Sequence, residues 1–160
     1  MLCDRILGNM EEGSLGNISR TEDALELQWW DCWKRAIRKQ TAAGRDVRIL
    51  LPIGTGLHHG DVIYDDGDTR IVVRVLPCEV LVVRPWDLEE MGVLMLELGN
   101  LHAPAEVSAG DVLVAADGPV EAVLVDLGLP FEAETRRFAP RRCVGMPTFE
   151  PSAEFAAARA

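Results

Sequence analysis

The chain has 160 residues, with 16 Lys and Arg against 26 Asp and Glu, which gives a formal net charge of −10. Hydrophobic residues make up 48% and charged residues 26%, a balance typical of a folded globular protein and not of a disordered chain or a disulfide scaffold. The acidic balance argues against nucleic-acid binding, and the lack of both an apolar run near ~18 residues and a signal peptide predicts a cytoplasmic protein that does not enter a membrane.

Residues 1–75 read as strands and turns and predict a small all-β domain. Alternating apolar residues at 25, 27 and 29 indicate a half-buried strand. A turn at 41–44 separates a basic stretch from an alternating apolar stretch, which predicts a hairpin with strands near 35–41 and 45–51. The Asp66-Gly67 pair lies between two β-rich runs and predicts a second hairpin.

Residues 76–147 change character and predict a ferredoxin-like βαββαβ domain, so the predicted fold class is α+β. The order is a buried strand at 80–83, a helix at 87–98 stopped by Gly99-Asn100, a hairpin over 105–115, a helix at 120–127 and a strand at 135–139. Asp117 is the predicted cap of the second helix. The apolar face of the first helix is predicted from its spacing: Leu88, Met91, Met95 and Leu98. Residues 148–160 predict a flexible tail.

Three histidines are candidate metal ligands, because imidazole binds nickel, copper and zinc. His102 follows the predicted helix end in a loop stiffened by Pro104. One histidine does not hold a metal tightly, but a twofold dimer would turn a residue near its axis into a pair. His58 and His59 are adjacent in a second loop, where they read either as solvated side chains or as weak ligands.

Catalytic motifs are not recognisable in the sequence, so we predict that the protein is not an enzyme. It has no G-x-S-x-G, no H-E-x-x-H and no phosphate-binding glycine-rich loop. The cysteines at 3, 32, 78 and 143 form no C-x-x-C pair, which disfavours a zinc ribbon and indicates reduced thiols. A catalytic Cys/His dyad formed by Cys78 and His102 is left as an alternative, although nothing in the spacing of the two residues supports it.

Three segments carry a resemblance to a known family. They are Leu27–Asp31 followed by Lys34-Arg35, Arg38, Thr41 and Gly44-Arg45; Leu51-Pro52 with Gly54-Thr55 and Gly60–Tyr64; and Leu96-Glu97-Leu98-Gly99-Asn100-Leu101-His102-Ala103-Pro104. With these motifs in this order, the chain from Ile6 to about Pro140 resembles the urease accessory protein E (UreE) family of nickel metallochaperones. The last segment is the most specific, because His102 occupies the position of the family's metal-binding histidine.

The resemblance implies an N-terminal β domain that docks partners and a ferredoxin-like domain that forms a homodimer, with the dimer of dimers left open. It also implies that the two His102 side chains meet near the twofold and bind Ni(II), with Zn(II) or Cu(II) as alternatives in vitro. The metal would pass, with the urease accessory GTPase, to the urease apoprotein complex.

The chain departs from the family pattern in ways that predict a low nickel capacity. Many members carry histidines near the start of the second helix, where this sequence has Asp117, which we keep as an additional candidate ligand with His58 and His59. Many members also end in a His-rich tail, whereas this chain ends in Ala-rich sequence. The alternative hypothesis is therefore a metal-independent docking module of the same fold.

Overall fold

A computed structural model describes residues 1–13 and 20–141. The chain divides into two compact units, Met1–Leu76 and a second unit that begins at Pro77. The predicted tail at 148–160 and Cys143 lie outside the described residues. No helix in the described part of the chain is long and apolar enough to cross a membrane.

The first unit contains two β-sheets and a short 3-10 helix. Its strands, in chain order, are β1 (Leu2–Cys3), β2 (Gly8–Asn9), β3 (Thr21–Leu27), β4 (Ala36–Gln40), β5 (Asp46–Leu50), β6 (Asp61–Asp65) and β7 (Thr69–Val75). The sheet orders are β1-β5-β4 and β2-β6-β7-β3. Both predicted hairpins are present, as the antiparallel pairs β4–β5 and β6–β7. Trp29 is buried but lies in the 3-10 helix Trp29–Trp33, so the predicted strand alternation ends at Leu27.

A buried carboxylate fixes the turn between β4 and β5 onto β3. The carboxylate of Asp23 accepts hydrogen bonds from the Thr41 hydroxyl at 2.7 Å, the Ala43 amide at 3.0 Å and the Arg45 guanidinium at 2.9 Å. Burial raises the pKa of Asp23, but the three donors outweigh it and hold the pKa below its usual value. The charged form of Asp23 therefore stabilises this unit.

The second unit has the predicted βαββαβ order. Its elements are β8 (Cys78–Val83), α1 (Leu88–Asn100), β9 (Ala105–Ser108), β10 (Asp111–Ala115), α2 (Gly118–Asp126) and β11 (Phe131–Arg136). They form an antiparallel sheet of order β11-β8-β10-β9. Both helices pack on one face of this sheet, in a core that includes Leu81 of β8, Leu94 of α1 and Leu124 of α2. The α+β fold class predicted from the sequence is confirmed.

Two details of the prediction for this unit are wrong. The core-facing stripe of α1 is formed by Leu94 and Leu98 with Met91 beside them, whereas Leu88 is 89% exposed. The last strand runs from Phe131 to Arg136 and not from 135 to 139. Residues 137–141 instead cross the sheet from the β11 edge to the β9 edge, where the Arg141 amide donates to the Ala105 carbonyl at 3.1 Å.

Candidate metal centre

His102 lies at the end of α1 in a backbone conformation that usually belongs to glycine. Its φ is +54°, in the left-handed region. The His102 amide donates to the Gly99 carbonyl at 3.0 Å, and the Ala103 amide donates to the Leu98 carbonyl at 2.9 Å. This pair of bonds is the Schellman motif, whose left-handed residue is most often glycine because a Cβ is strained there. The helix therefore ends later than predicted, because Gly99 and Asn100 are its last two residues and Leu101 is its C-cap.

The second helix of the same unit shows the usual solution to this backbone requirement. At the end of α2 the Gly128 amide donates to the Val125 carbonyl at 3.0 Å, and the Leu129 amide donates to the Leu124 carbonyl at 3.0 Å. The left-handed residue here is Gly128, with φ +68°. The two helices thus end in the same motif, with glycine at one end and an imidazole at the other. Backbone strain of this kind is often found at functional sites, so the left-handed conformation of the exposed His102 marks it as a candidate functional residue.

The His102 side chain is exposed, so its imidazole is open to solvent. Among residues 1–13 and 20–141, no group of three or more His, Cys, Asp or Glu is placed to hold a metal ion. A single described chain therefore supplies isolated donors and not a closed shell. A second copy of the chain or solvent would have to complete the coordination of an ion at His102.

Asp117 lies at the same end of the sheet as His102. In the β9–β10 pair Ala105 is opposite Val114, His102 comes three residues before Ala105, and Asp117 comes three residues after Val114. Asp117 occupies the cap position of α2, as predicted, but its exposed carboxylate makes no capping hydrogen bond. The carboxylate is therefore not committed to the helix and remains a possible oxygen ligand at the His102 end.

His58 and His59 lie in the first unit, in the loop before β6. His59 is partly buried, and its Nδ1 accepts a hydrogen bond from the Val75 amide at 3.1 Å, which fixes the loop to β7. A neutral ring that accepts at Nδ1 carries its proton at Nε2, so neither nitrogen has a lone pair left for a metal. His58 is exposed, with its Nδ1 3.7 Å from the Asp61 carboxylate. His58 keeps a free donor atom, and the geometry of His59 indicates a structural role.

The described cysteines are poor candidates for soft ligands. Cys3, Cys32 and Cys78 are free thiols and all three are buried. Burial, with smaller contributions from the charges of Asp31 and Asp61, raises the pKa of Cys32 to about 12. Burial also raises the pKa of Cys3. Because only the thiolate binds metal well, these two sulfurs stay protonated and out of metal chemistry at neutral pH.

The solvent-facing flank of α1 is a feature that sequence reasoning missed. Leu88, Gly92, Leu96 and Gly99 follow one another at spacings of four, four and three, so they form one stripe that leads toward His102. All four are exposed, with Leu88 at 89% and Leu96 at 64%. A Cβ placed on either glycine would meet no atom within 4 Å. The signal in the sequence was the pair of helical glycines, which cost about 1 kcal/mol each relative to alanine.

Comparison with known proteins agrees with this architecture. The family model described as the UreE urease accessory protein N-terminal domain matches residues 3–76, and the model of the C-terminal domain of the same protein matches residues 78–151. A "Urease accessory protein UreE" of Lysinibacillus sphaericus is 33% identical over 138 residues, which cover 86% of this chain and 93% of the relative. Proteins of the same description from Staphylococcus saprophyticus and Flavobacterium johnsoniae are 36% identical over 137 residues and 38% identical over 121 residues. These two alignments cover 86% and 75% of this chain, and 91% and 72% of the respective relatives.

Proposed function

The chain belongs to the UreE family of urease accessory proteins, and we propose from this that it carries Ni(II) as cargo for assembly of the urease active site. In this proposal His102 of each subunit of a homodimer supplies the main ligand. The urease accessory GTPase and the urease apoprotein complex are the receiving partners. An accessory protein is distinct from the urease catalytic subunit, and the proposed mechanism is ligand exchange at a partner interface without covalent chemistry.

The observation that carries the proposal is the histidine in the glycine position at the end of α1. Glycine is the usual residue at this position of a helix end, as it is at Gly128. The imidazole is exposed and has nitrogen donors of the kind that nickel accepts. A carrier needs few and exposed ligands, because a closed shell of four protein ligands would release its ion slowly. One imidazole from each chain suits that requirement.

The exposed flank of α1 supports the homodimer. Two helical glycines have no packing reason within the described part of this chain, but they would let a second helix approach closely. Leu88 and Leu96 on the same stripe supply apolar surface that a partner would bury. Because the stripe ends three residues before His102, a twofold axis near its Gly99 end would bring the two imidazoles together.

The charge of the chain favours a cation as cargo but does not select nickel. Residues 85–135 contain eleven Asp and Glu and no Lys or Arg, which raises the local concentration of cations. Imidazole sites generally bind Cu(II) more tightly than Ni(II), following the Irving–Williams order. We therefore expect Cu(II) and Zn(II) to bind in vitro, with Asp117 and water as further oxygen ligands. His58 is a weaker candidate, because it lies in the other unit.

One observation favours the alternative, a docking module of the same fold that needs no metal. The described residues contain no preformed cluster of three metal-binding side chains. In that case the protein would act through partner contacts alone, for example through the basic residues Lys34, Arg35, Arg38 and Lys39. Replacing His102 would then have no measurable effect on nickel binding.

Nickel titration calorimetry on the full chain, with the oligomeric mass measured in parallel, tests the proposal. We expect about one nickel ion per dimer for the wild type and for His58→Ala, which removes a comparably exposed histidine. His102→Ala should lose this binding while it keeps the dimer mass. Unchanged binding in His102→Ala, or no binding by the wild type, would reject the carrier function and favour the docking module.

A further inference from the structure

A groove lies at the end of the second unit that is opposite His102. It is lined by the start of α1 and by the segment that follows α2: Asp87, Glu89, Glu90, Val93, Leu127 and Leu129. Its volume is about 220 Å³. Val93, the lining residue of α1 nearest to His102 in the chain, precedes it by nine residues, which at 1.5 Å per residue is about 14 Å. The groove is therefore separate from the proposed nickel site.

The rim of the groove is acidic beyond what helix capping requires. Asp87 caps α1, since its carboxylate accepts from the Glu90 amide at 2.9 Å. The Glu89 side chain has no hydrogen bond or ion pair to any described residue. Asp126 stands in the last turn of α2, beside Leu127, where the helix dipole disfavours an acid. None of the side chains lining the groove is basic.

Trp86 stands beside this rim and is the most exposed large apolar side chain among the described residues, at 90% exposure. The backbone of Trp86 is tied to the first turn of α1, because its amide donates to the Glu90 carboxylate at 2.7 Å. An exposed indole that directly precedes the acidic start of α1 offers a cation both a ring face and nearby carboxylates. Tryptophan is also the residue type most enriched where binding energy is concentrated in interfaces.

From these features we propose that the groove and Trp86 form a docking site for a basic, partly aliphatic segment of a partner protein. One aliphatic side chain of the segment enters the groove and contacts Val93, Leu127 and Leu129. Its Arg or Lys side chains lie on the Trp86 indole and pair with the acidic rim.

The size and charge of the groove favour a basic peptide segment over a small molecule, an anionic ligand or a second copy of this chain. A volume of about 220 Å³ is below the ~300–1,000 Å³ of most small-molecule sites, and it suits a single side chain. A lining with three carboxylates and no basic side chain disfavours an anionic ligand or a nucleic acid. A second copy of this chain would bring a like-charged surface against the rim, since the chain carries a net charge of −10.

The test is calorimetric titration of the full chain with a short amidated peptide of alternating arginine and leucine, in metal-free buffer. We expect binding that weakens with added salt and a shift of the Trp86 indole resonance in the nitrogen–proton spectrum. Trp86→Ala should weaken binding about tenfold, and Glu89→Gln severalfold. Two matched controls should bind as the wild type does: Ile53→Ala, which removes an apolar side chain that is 86% exposed in the first unit, and Glu121→Gln, which removes an acid at the start of α2.

Three results would overturn the proposal. The first is equal binding of a peptide with glutamate in place of arginine. The second is wild-type affinity in Trp86→Ala, which would mean that the peptide binds the acidic surface without regard to site. The third is a loss of oligomeric mass in Trp86→Ala, which would assign the indole to contacts between copies of this chain. None of these readouts depends on nickel, so the outcome is independent of the carrier function.

Discussion

Replacing His102 with glycine should remove nickel binding and at the same time make the second unit more stable. The residue has φ +54° in a Schellman motif, where a Cβ costs roughly 1 kcal/mol or more. Glycine removes that strain but adds freedom to the unfolded chain, which offsets part of the gain. We therefore expect a net gain of about 0.5–1 kcal/mol, or a rise in Tm of a few degrees for a domain of this size.

Two further variants isolate the backbone contribution. His102→Ala keeps a Cβ in the left-handed conformation, so its stability should stay within about 0.5 kcal/mol of the wild type. Gly128→Ala creates the same strain at the end of α2 and should lower the unfolding free energy by about 1 kcal/mol. The added methyl group meets no atom within 4 Å, so this loss would come from the left-handed backbone conformation alone.

The assay is thermal and urea unfolding followed by circular dichroism, at fixed protein concentration and with a chelator present, because bound metal would itself stabilise the fold. Nickel titration of the same samples gives the functional readout. If His102→Gly were destabilised by about 1 kcal/mol or more, the imidazole would be making contacts that hold the fold together. The inference that this histidine is kept at the expense of stability would then be wrong.

Three further predictions follow from other parts of the structure. Gly92→Leu should convert the dimer to monomers in sedimentation, because the new side chain would occupy the exposed flank of α1. Ala122→Leu, on the exposed side of α2, is the control and should keep the dimer mass. A Gly92→Leu variant that stays dimeric would place the interface elsewhere. Asp23→Asn should lose about 2 kcal/mol at neutral pH, because a buried charged acceptor is removed from three donors. The pKa of Asp23 is lower in the folded state than the value near 3.8 expected in the unfolded chain. The stabilisation by the charged carboxylate is therefore present above pH 3.8 and is lost as the pH falls through the folded-state pKa. The unfolding free energies of wild type and variant should accordingly become similar in acid. Cys32, with a pKa of about 12, should resist alkylation at pH 7 until the protein is unfolded, and rapid labelling of its peptide by mass spectrometry would contradict its burial.

Local sequence patterns were sufficient for most of the architecture. The hairpins β4–β5 and β6–β7 follow from alternation on both sides of short polar turns, which is information carried by a few neighbouring residues. The βαββαβ order of the second unit follows in the same way, because each change from period 2 to period 3.6 is bounded by Gly, Pro, Asn or Asp. His102 was also identified from the sequence, through the resemblance of its motif to the UreE family.

The last strand was misplaced because its own sequence does not look like a strand. In the edge strand β11, Glu132 is exposed and Glu134 partly exposed, and the face that carries them has no apolar residue. Its charge is balanced by Arg84 at the end of β8, which lies 2.8 Å from the Glu132 carboxylate and 3.6 Å from Glu134. This compensation joins residues almost fifty positions apart, so a local pattern does not contain it.

The sequence by itself determined the kinds and order of the elements, the acidic charge and the single histidine of the proposed site. The tertiary structure decided which side of α1 is buried, because Leu88, Met91, Leu94, Met95 and Leu98 are all apolar and helical periodicity allows more than one stripe. The sheet selects Leu94 and Leu98 and leaves Leu88 exposed, which creates the flank proposed for the dimer. The left-handed conformation of His102 was decided in the same way, by the hydrogen bonds that lead the chain from α1 into β9. Patterns of residue type fix local geometry, whereas the orientation of an element and the strain at its ends depend on what it packs against.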